Sequence, residues 1–94
     1  MNKLCLQDIT WVEAERLRDE ANGVIIVQYA SIEGHGHHCP LGTDAWMAQA
    51  VSERAAAVAG VPFTPLIPVG VSPQHLDGRP GTMTVRESVV IEYL

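Results

Sequence analysis

Val24-Ile25-Ile26-Val27-Gln28-Tyr29-Ala30 is a short, nearly unbroken apolar run rich in β-branched residues, and its reading decides the fold class. Such a run suits a strand buried on both faces, as in a parallel sheet. Upstream, Thr10-Trp11-Val12-Glu13 has the form of a capping box. In that motif the hydroxyl accepts from the backbone amide three residues on, and the glutamate reaches back. Trp11, Ala14 and Leu17 then recur at helical spacing, with Glu15, Arg16, Asp19 and Glu20 on the wet face. Asn22-Gly23 stops that helix, because glycine readily takes the left-handed conformation at a helix end.

Downstream of the run, residues 31–43 lack periodicity and hold three Gly and one Pro, so they read as a loop leaving the strand. Thr43 is placed to cap the next helix, residues 45–59, with Asp44 where a negative charge suits the helix dipole. Met47, Ala48, Val51, Ala55 and Val58 form its expected core stripe, and Gly60 and Pro62 end it. Residues 61–69 are apolar but carry three prolines, which points to an edge strand or an extended segment. Residues 70–81 read as a loop, and Thr84 as the cap of a last helix over 85–94.

The order α-β-loop-α-β-loop-α implies an α/β fold with a parallel sheet and right-handed crossovers. Two strands and three helices would leave sheet edges open and apolar faces uncovered. Residues 89–94 also end in an apolar helical turn with no cap or polar tail. The chain is therefore expected to be cut off mid-domain.

Composition narrows the function. Ninety-four residues allow one domain, and 47% hydrophobic with 18% charged residues excludes intrinsic disorder. The net charge is −5 and no basic run occurs, so binding of nucleic acid through its phosphates has no support. No apolar stretch approaches the ~20 residues of a membrane helix, and no secretory signal is visible. Two cysteines make no disulfide framework. A soluble, cytoplasmic, mildly acidic protein is expected.

The polar chemistry is crowded into one place: three of the four histidines and one of the two cysteines fall within residues 33–39. Glu33 and His35 are spaced i, i+2, so on an extended backbone both point the same way. Asp44, just past the loop, can face them. Two carboxylates and an imidazole form a donor set suited to Zn²⁺ or Mn²⁺. Two such ions ~3.5–4 Å apart would generate a hydroxide nucleophile and polarise a carbonyl. The bland readings stand beside this: a solvated or adventitiously metal-binding His loop, a small Zn site using the Cys39 thiolate, Asp44 as a plain first-turn residue. Cys5 and Cys39 read as small buried residues, His75 as a surface histidine, and Arg86 and Glu87 as a solvated helix face.

Ser31-Ile32-Glu33-Gly34-His35-Gly36-His37-His38-Cys39-Pro40-Leu41-Gly42-Thr43-Asp44 resembles the signature of the creatinine amidohydrolase (creatininase) family. Pro68-Val69-Gly70-Val71-Ser72-Pro73-Gln74-His75-Leu76, followed by Pro80-Gly81-Thr82-Met83-Thr84, resembles that family's second block. The resemblance implies a parallel α/β sandwich, commonly hexameric, that hydrolyses amide bonds of small, often cyclic molecules with two Zn²⁺ and/or Mn²⁺ ions per complete site. It implies Glu33 as a ligand of one ion, His35 as a ligand of the other, and Asp44 as the bridging carboxylate. Ser72 falls near the stretch that contacts substrate, and His38 matches a signature histidine expected to support a ligand. Gly34, His37 and Cys39 depart from the usual Gln, Pro and Leu without removing a ligand.

Family members are longer, so the resemblance implies that residues 1–94 are the N-terminal portion of a single creatininase-like domain whose C-terminal half is absent. That later half supplies a further His and acidic ligand, the proton-shuttling His and the aromatic residues enclosing the substrate. No catalytic residue is therefore expected within this chain. Three readings follow. The chain is the N-terminal portion of such a hydrolase, in a homo-oligomer, completed by a separate C-terminal chain, or truncated from a longer frame; or a non-catalytic metal-binding or subunit-interaction module; or a remnant without activity.

Overall fold

The computed structural model describes residues 2–94. Among them are three α-helices, α1 (Trp11–Glu20), α2 (Thr43–Ala59) and α3 (Glu87–Tyr93), with 3₁₀ turns at Leu6–Asp8 and Pro73–His75. The chain divides into two compact units. One comprises the residues up to Gln28 together with Gln49–Leu66, the other Tyr29–Ala48 with Ile67–Leu94. Among the described residues no helix is long and apolar enough to cross a membrane.

In the first unit α1 starts at the expected capping box. Thr10 N donates to Glu13 Oε2 at 2.8 Å and Glu13 N donates to Thr10 Oγ1 at 3.3 Å. Asn22 (φ 54°) and Gly23 (φ 76°) turn left-handed after it, and Gly23 N closes the end on Arg18 O at 2.8 Å. Leu17 and Ala21 are buried, whereas Trp11, read as part of the apolar stripe, is exposed.

Phe63 is the centre of this unit. It bridges Cys5 on one side and Ile26 on the other, both in parallel register. Phe63 N donates to Leu4 O and Leu6 N to Phe63 O; Ile26 N donates to Pro62 O and Thr64 N to Ile26 O, all at 2.9–3.0 Å. The segment expected at a sheet edge is thus paired on both sides. The prolines explain why it tolerates this: Pro62 contributes only its carbonyl, and Phe63 and Thr64 supply the N–H groups. They also explain why no continuous strand forms among the described residues, since a proline at 62, 65 and 68 removes every third donor. What remains is four isolated bridges, each parallel.

Two burial expectations are corrected here. The run 24–30 is not buried on both faces: Val24, Ile25 and Val27 are exposed, Ile26 is half-buried and Gln28 is buried. Gln28 can occupy an interior position because its N and Nε2 donate to Thr64 Oγ1 and Thr64 O, each at 3.0 Å. On α2 the expected stripe lies outward, with Met47, Val51 and Val58 at 61%, 68% and 82% exposure. The face turned inward carries Ala56, fully buried against Cys5 and Phe63. A methyl side chain allows the helix to approach the Phe63 ring closely, so small size rather than hydrophobicity selects the packed face.

In the second unit Tyr29 bridges Ile67, and Gly70 bridges Thr84. The Tyr29 hydroxyl donates to Val69 O. Met83 N donates to Ile32 O at 2.8 Å and Val85 N to Gly70 O at 3.1 Å. Both expected threonine caps have other partners. Thr43 is the first residue of α2, and its hydroxyl donates back to Pro40 O at 2.6 Å. Thr84 Oγ1 accepts from Ser72 N at 2.8 Å, and α3 begins later, at Glu87, after Arg86.

Candidate metal centre

The backbone of the second unit gathers the polar residues of the loop. Glu33 N donates to Leu41 O at 3.1 Å, which folds the loop back toward the start of α2. Gly34 N donates to Thr82 Oγ1 at 3.0 Å, and Thr82 Oγ1 in turn donates to His75 O at 3.0 Å. One hydroxyl therefore ties the Glu33-Gly34-His35 backbone to the Pro73–His75 turn. Gly36, at φ 71°, makes the turn that follows, and a Cβ there would stand 3.2 Å from His38 Nδ1.

Glu33, His35 and Asp44 each offer a ligand atom, and these atoms all lie within 4.8 Å of one another. All three side chains are half-buried, so they are neither locked in the core nor freely solvated. Nδ1 of His35 lies 3.1 Å from Glu33 O. A carbonyl oxygen only accepts, so Nδ1 carries the proton and, in the neutral ring, Nε2 is left with its lone pair. That Nε2 faces Asp44 Oδ1 at 3.3 Å. Two acceptors at this distance need a proton or a cation between them. Protein zinc ligands bond at ~2.0–2.2 Å, so donors of one tetrahedral ion stand ~3.3–3.5 Å apart. The chemistry of the donor set, and the spacing of this pair, fit a divalent ion.

The electrostatics agree. The Glu33 carbonyl, helped by the Asp44 and Glu33 carboxylates, raises the His35 pKa above its ordinary value against the opposing effect of burial. The Ser72 hydroxyl leads the groups that lower the Glu33 pKa, followed by Asp44, the His75 charge and the Ser31 hydroxyl. Ser72 is buried at 3% exposure and its Oγ lies 2.8 Å from Ser31 Oγ.

Of the other residues singled out in the sequence, His37 and His38 are exposed and Cys39 is half-buried. Among the described residues the cluster contains none of them, so the alternative zinc site built on the Cys39 thiolate is not assembled. The residue that sequence reasoning placed on the surface is His75. Its side chain is 37% exposed, and its Nε2 stands 3.8 Å from Glu33 Oε2. Its position within the second block was a usable signal; the surrounding Pro and Gly obscured it.

The second unit thus pairs two parallel bridges with a carboxylate–imidazole cluster whose donors could hold a metal ion. The family model for creatinine amidohydrolase matches residues 7–94, and the chain belongs to the creatininase family. It is similar to the 3-dehydro-scyllo-inosose hydrolase of Thermotoga maritima, at 34% identity over 71 residues covering 76% of this chain and 23% of that one. Among solved structures, creatinine amidohydrolase superposes with a TM-score of 0.87 at 24% identity, over 99% of this chain and 38% of that one. A structure described as creatininase Mn gives 0.83 at 25% identity, over 95% of this chain and 36% of that one. A creatininase variant complexed with creatine gives 0.85 at 25% identity, over 98% and 37%. The chain thus spans well under half the length of the relatives it matches.

Proposed function

We propose that this chain carries the metal-holding part of a metal-dependent hydrolase that cleaves an amide C–N bond in a small molecule. In this reading residues 1–94 are the N-terminal portion of one creatininase-type domain. The remaining groups of the site would come from outside residues 1–94. The observation that carries it is the convergence of Glu33, His35 and Asp44, with His35 Nε2 and Asp44 Oδ1 facing each other at 3.3 Å. Family membership supports the reaction class, and the relatives described as Zn-Zn type and as Mn support Zn²⁺ or Mn²⁺, two ions in a complete site.

Glu33, His35 and Asp44 would hold the metal, which when bound would acidify a water and polarise a carbonyl. The chain's own residues prepare that position. Glu33 O fixes the His35 tautomer, so that Nε2 presents its lone pair. Ser72 and Ser31 help hold Glu33 ionised, as a ligand must be. Asp44 is delivered by the first turn of α2, so its carboxylate rests on a rigid element. Ser72, expected at the substrate, is occupied in this arrangement with Ser31, and its contribution runs through Glu33. His38, lying against Gly36, shapes the loop. The named relatives act on unlike molecules, creatinine and 3-dehydro-scyllo-inosose, and the second has no amide bond, so polyhydroxylated ring ketones are tested beside small cyclic amides.

The test is metal content per chain by inductively coupled plasma mass spectrometry, on untagged protein after size exclusion and mild chelation. Retained Zn²⁺ or Mn²⁺ that is lost in Asp44→Asn is expected. Protein that retains no ion and takes up none on adding either metal would overturn the reading.

A further inference from the structure

We infer that the first unit holds a binding site for a small organic cation, a primary ammonium on a short apolar stem, in the cavity that Gln28 lines. The cavity has a volume of about 460 Å³, and its walls include Asp8, Gln28, Gln49, Glu53, Phe63 and Leu66. That size suits a small molecule. None of Glu33, His35 and Asp44 belongs to this unit, so the inference does not depend on the metal reading.

Gln28 carries the argument. It is 2% exposed, and both its backbone N and its Nε2 are held by Thr64. Thr64 O only accepts, so the amide nitrogen must face it and the amide cannot turn over. Oε1 is therefore the atom left over, and it is buried without a hydrogen-bond partner among the described residues. A carbonyl oxygen shut away from donors costs free energy, so a group that brings an N–H to it is favoured.

The rest of the lining selects the charge of that group. Gln49 Nε2 donates to Glu53 Oε1 at 3.2 Å, and Asn2 N donates to Asp8 Oδ2 at 3.0 Å. Each carboxylate keeps a second oxygen, and Gln49 keeps its own, so what the walls offer a ligand is acceptors. Two carboxylates line the cavity, and among the described residues no Lys, Arg or His does. A positively charged donor fits this lining and an anion does not. Phe63 and Leu66 argue against a bare divalent ion, which takes oxygen ligands on all sides. An ammonium meets the oxygens with its three N–H groups, and its stem meets the apolar wall.

The experiment adds n-butylammonium chloride to the ¹⁵N-labelled full chain and follows the Gln28 side-chain amide by NMR, with tetramethylammonium and Ca²⁺ as controls. Saturable shifts in the millimolar range are expected with butylammonium alone, a readout that needs no variant to fold. Glu53→Gln should weaken the binding about tenfold or more, as loss of a hydrogen bond to a charged group does.

A silent Gln28 amide would overturn the inference. Equal shifts with tetramethylammonium, which has no N–H, would also overturn it, because the net charge of −5 would then account for both. A response to Ca²⁺ alone would make the cavity an ion site instead. Undiminished affinity in Glu53→Gln would overturn the choice of a cation. A water that stays at the Gln28 amide in the presence of butylammonium would show that solvent satisfies Oε1 and that the cavity takes no amine.

Discussion

His35 Nε2 and Asp44 Oδ1 stand 3.3 Å apart with the other ring nitrogen of His35 already committed to Glu33 O, so the neutral site holds two lone pairs face to face. Asp44→Asn keeps the shape of the side chain and removes its charge. Loss of an outer-shell partner commonly costs about 10–100-fold in metal affinity, and losing a direct ligand should cost more than that. Competition with a chromophoric chelator measures it. An Asp44→Asn variant that holds Zn²⁺ as tightly as the native protein would exclude Asp44 as a ligand. The helix should survive the change, because α2 also keeps its first turn through Trp46 N donating to Gly42 O at 2.8 Å.

The capping box of α1 predicts a pH dependence. Hydrogen bonds from the Thr10 backbone and hydroxyl, with Lys3 nearby, hold the Glu13 pKa below its ordinary 4.5. A carboxylate depressed by folding stabilises the folded state above its unfolded pKa, and that contribution is lost as pH falls through the folded value. The stability gap between native protein and Glu13→Gln should therefore be constant from neutral pH to about 5 and shrink below about 4.5. Thermal melts of both proteins at stepped pH check this. A gap that does not shrink with acid would show that the ionised form of Glu13 contributes nothing.

Local sequence signals were legible where a single mechanism sets the structure. Thr10 and Glu13 define a cap by themselves, Asn22-Gly23 a helix end, and Glu33-Gly34-His35 with Asp44 a set of donors with the right chemistry. Burial was less legible, because it depends on which partner covers a face. The Met47, Val51 and Val58 stripe is the more hydrophobic side of α2, yet the side packed on Phe63 presents Ala56. The run 61–69 looked like an edge because of its prolines, but each proline still has a carbonyl, and Pro62 uses it to pair with Ile26. The nearness of His75 to Glu33 was illegible for a related reason. Its distance from Glu33 along the chain is closed by Thr82, a contact that no local pattern announces.

Phe63 carries the packing prediction. It is 1% exposed, touches Cys5 and Ala56, and its backbone pairs on both sides. Truncation of a buried Phe to Ala costs about 3–5 kcal/mol, against a total of about 5–15 kcal/mol for an ordinary domain. Phe63→Ala should lower the urea midpoint by a large fraction of its native value. Val58→Ala, at an outward position of α2, should move it little. Equal shifts in the two variants would mean that the core does not centre on Phe63.

The last prediction links backbone strain to the site. Gly81 has φ 106°, a conformation that side-chain-bearing residues rarely adopt, and an added Cβ would overlap the Leu41 side chain well inside contact distance. Leu41 O is the acceptor for Glu33 N, so whatever displaces residue 41 reaches the residue that carries the Glu33 carboxylate. Gly81→Ala should cost about 1–3 kcal/mol from the backbone alone and weaken Zn²⁺ binding as well. The double variant Gly81→Ala with Leu41→Ala separates the two effects. Removing the Leu41 side chain relieves the overlap and not the strain, so Zn²⁺ affinity should recover in large part while the stability loss persists. Failure of affinity to recover would mean that the loop reaches Glu33 by another route than Leu41.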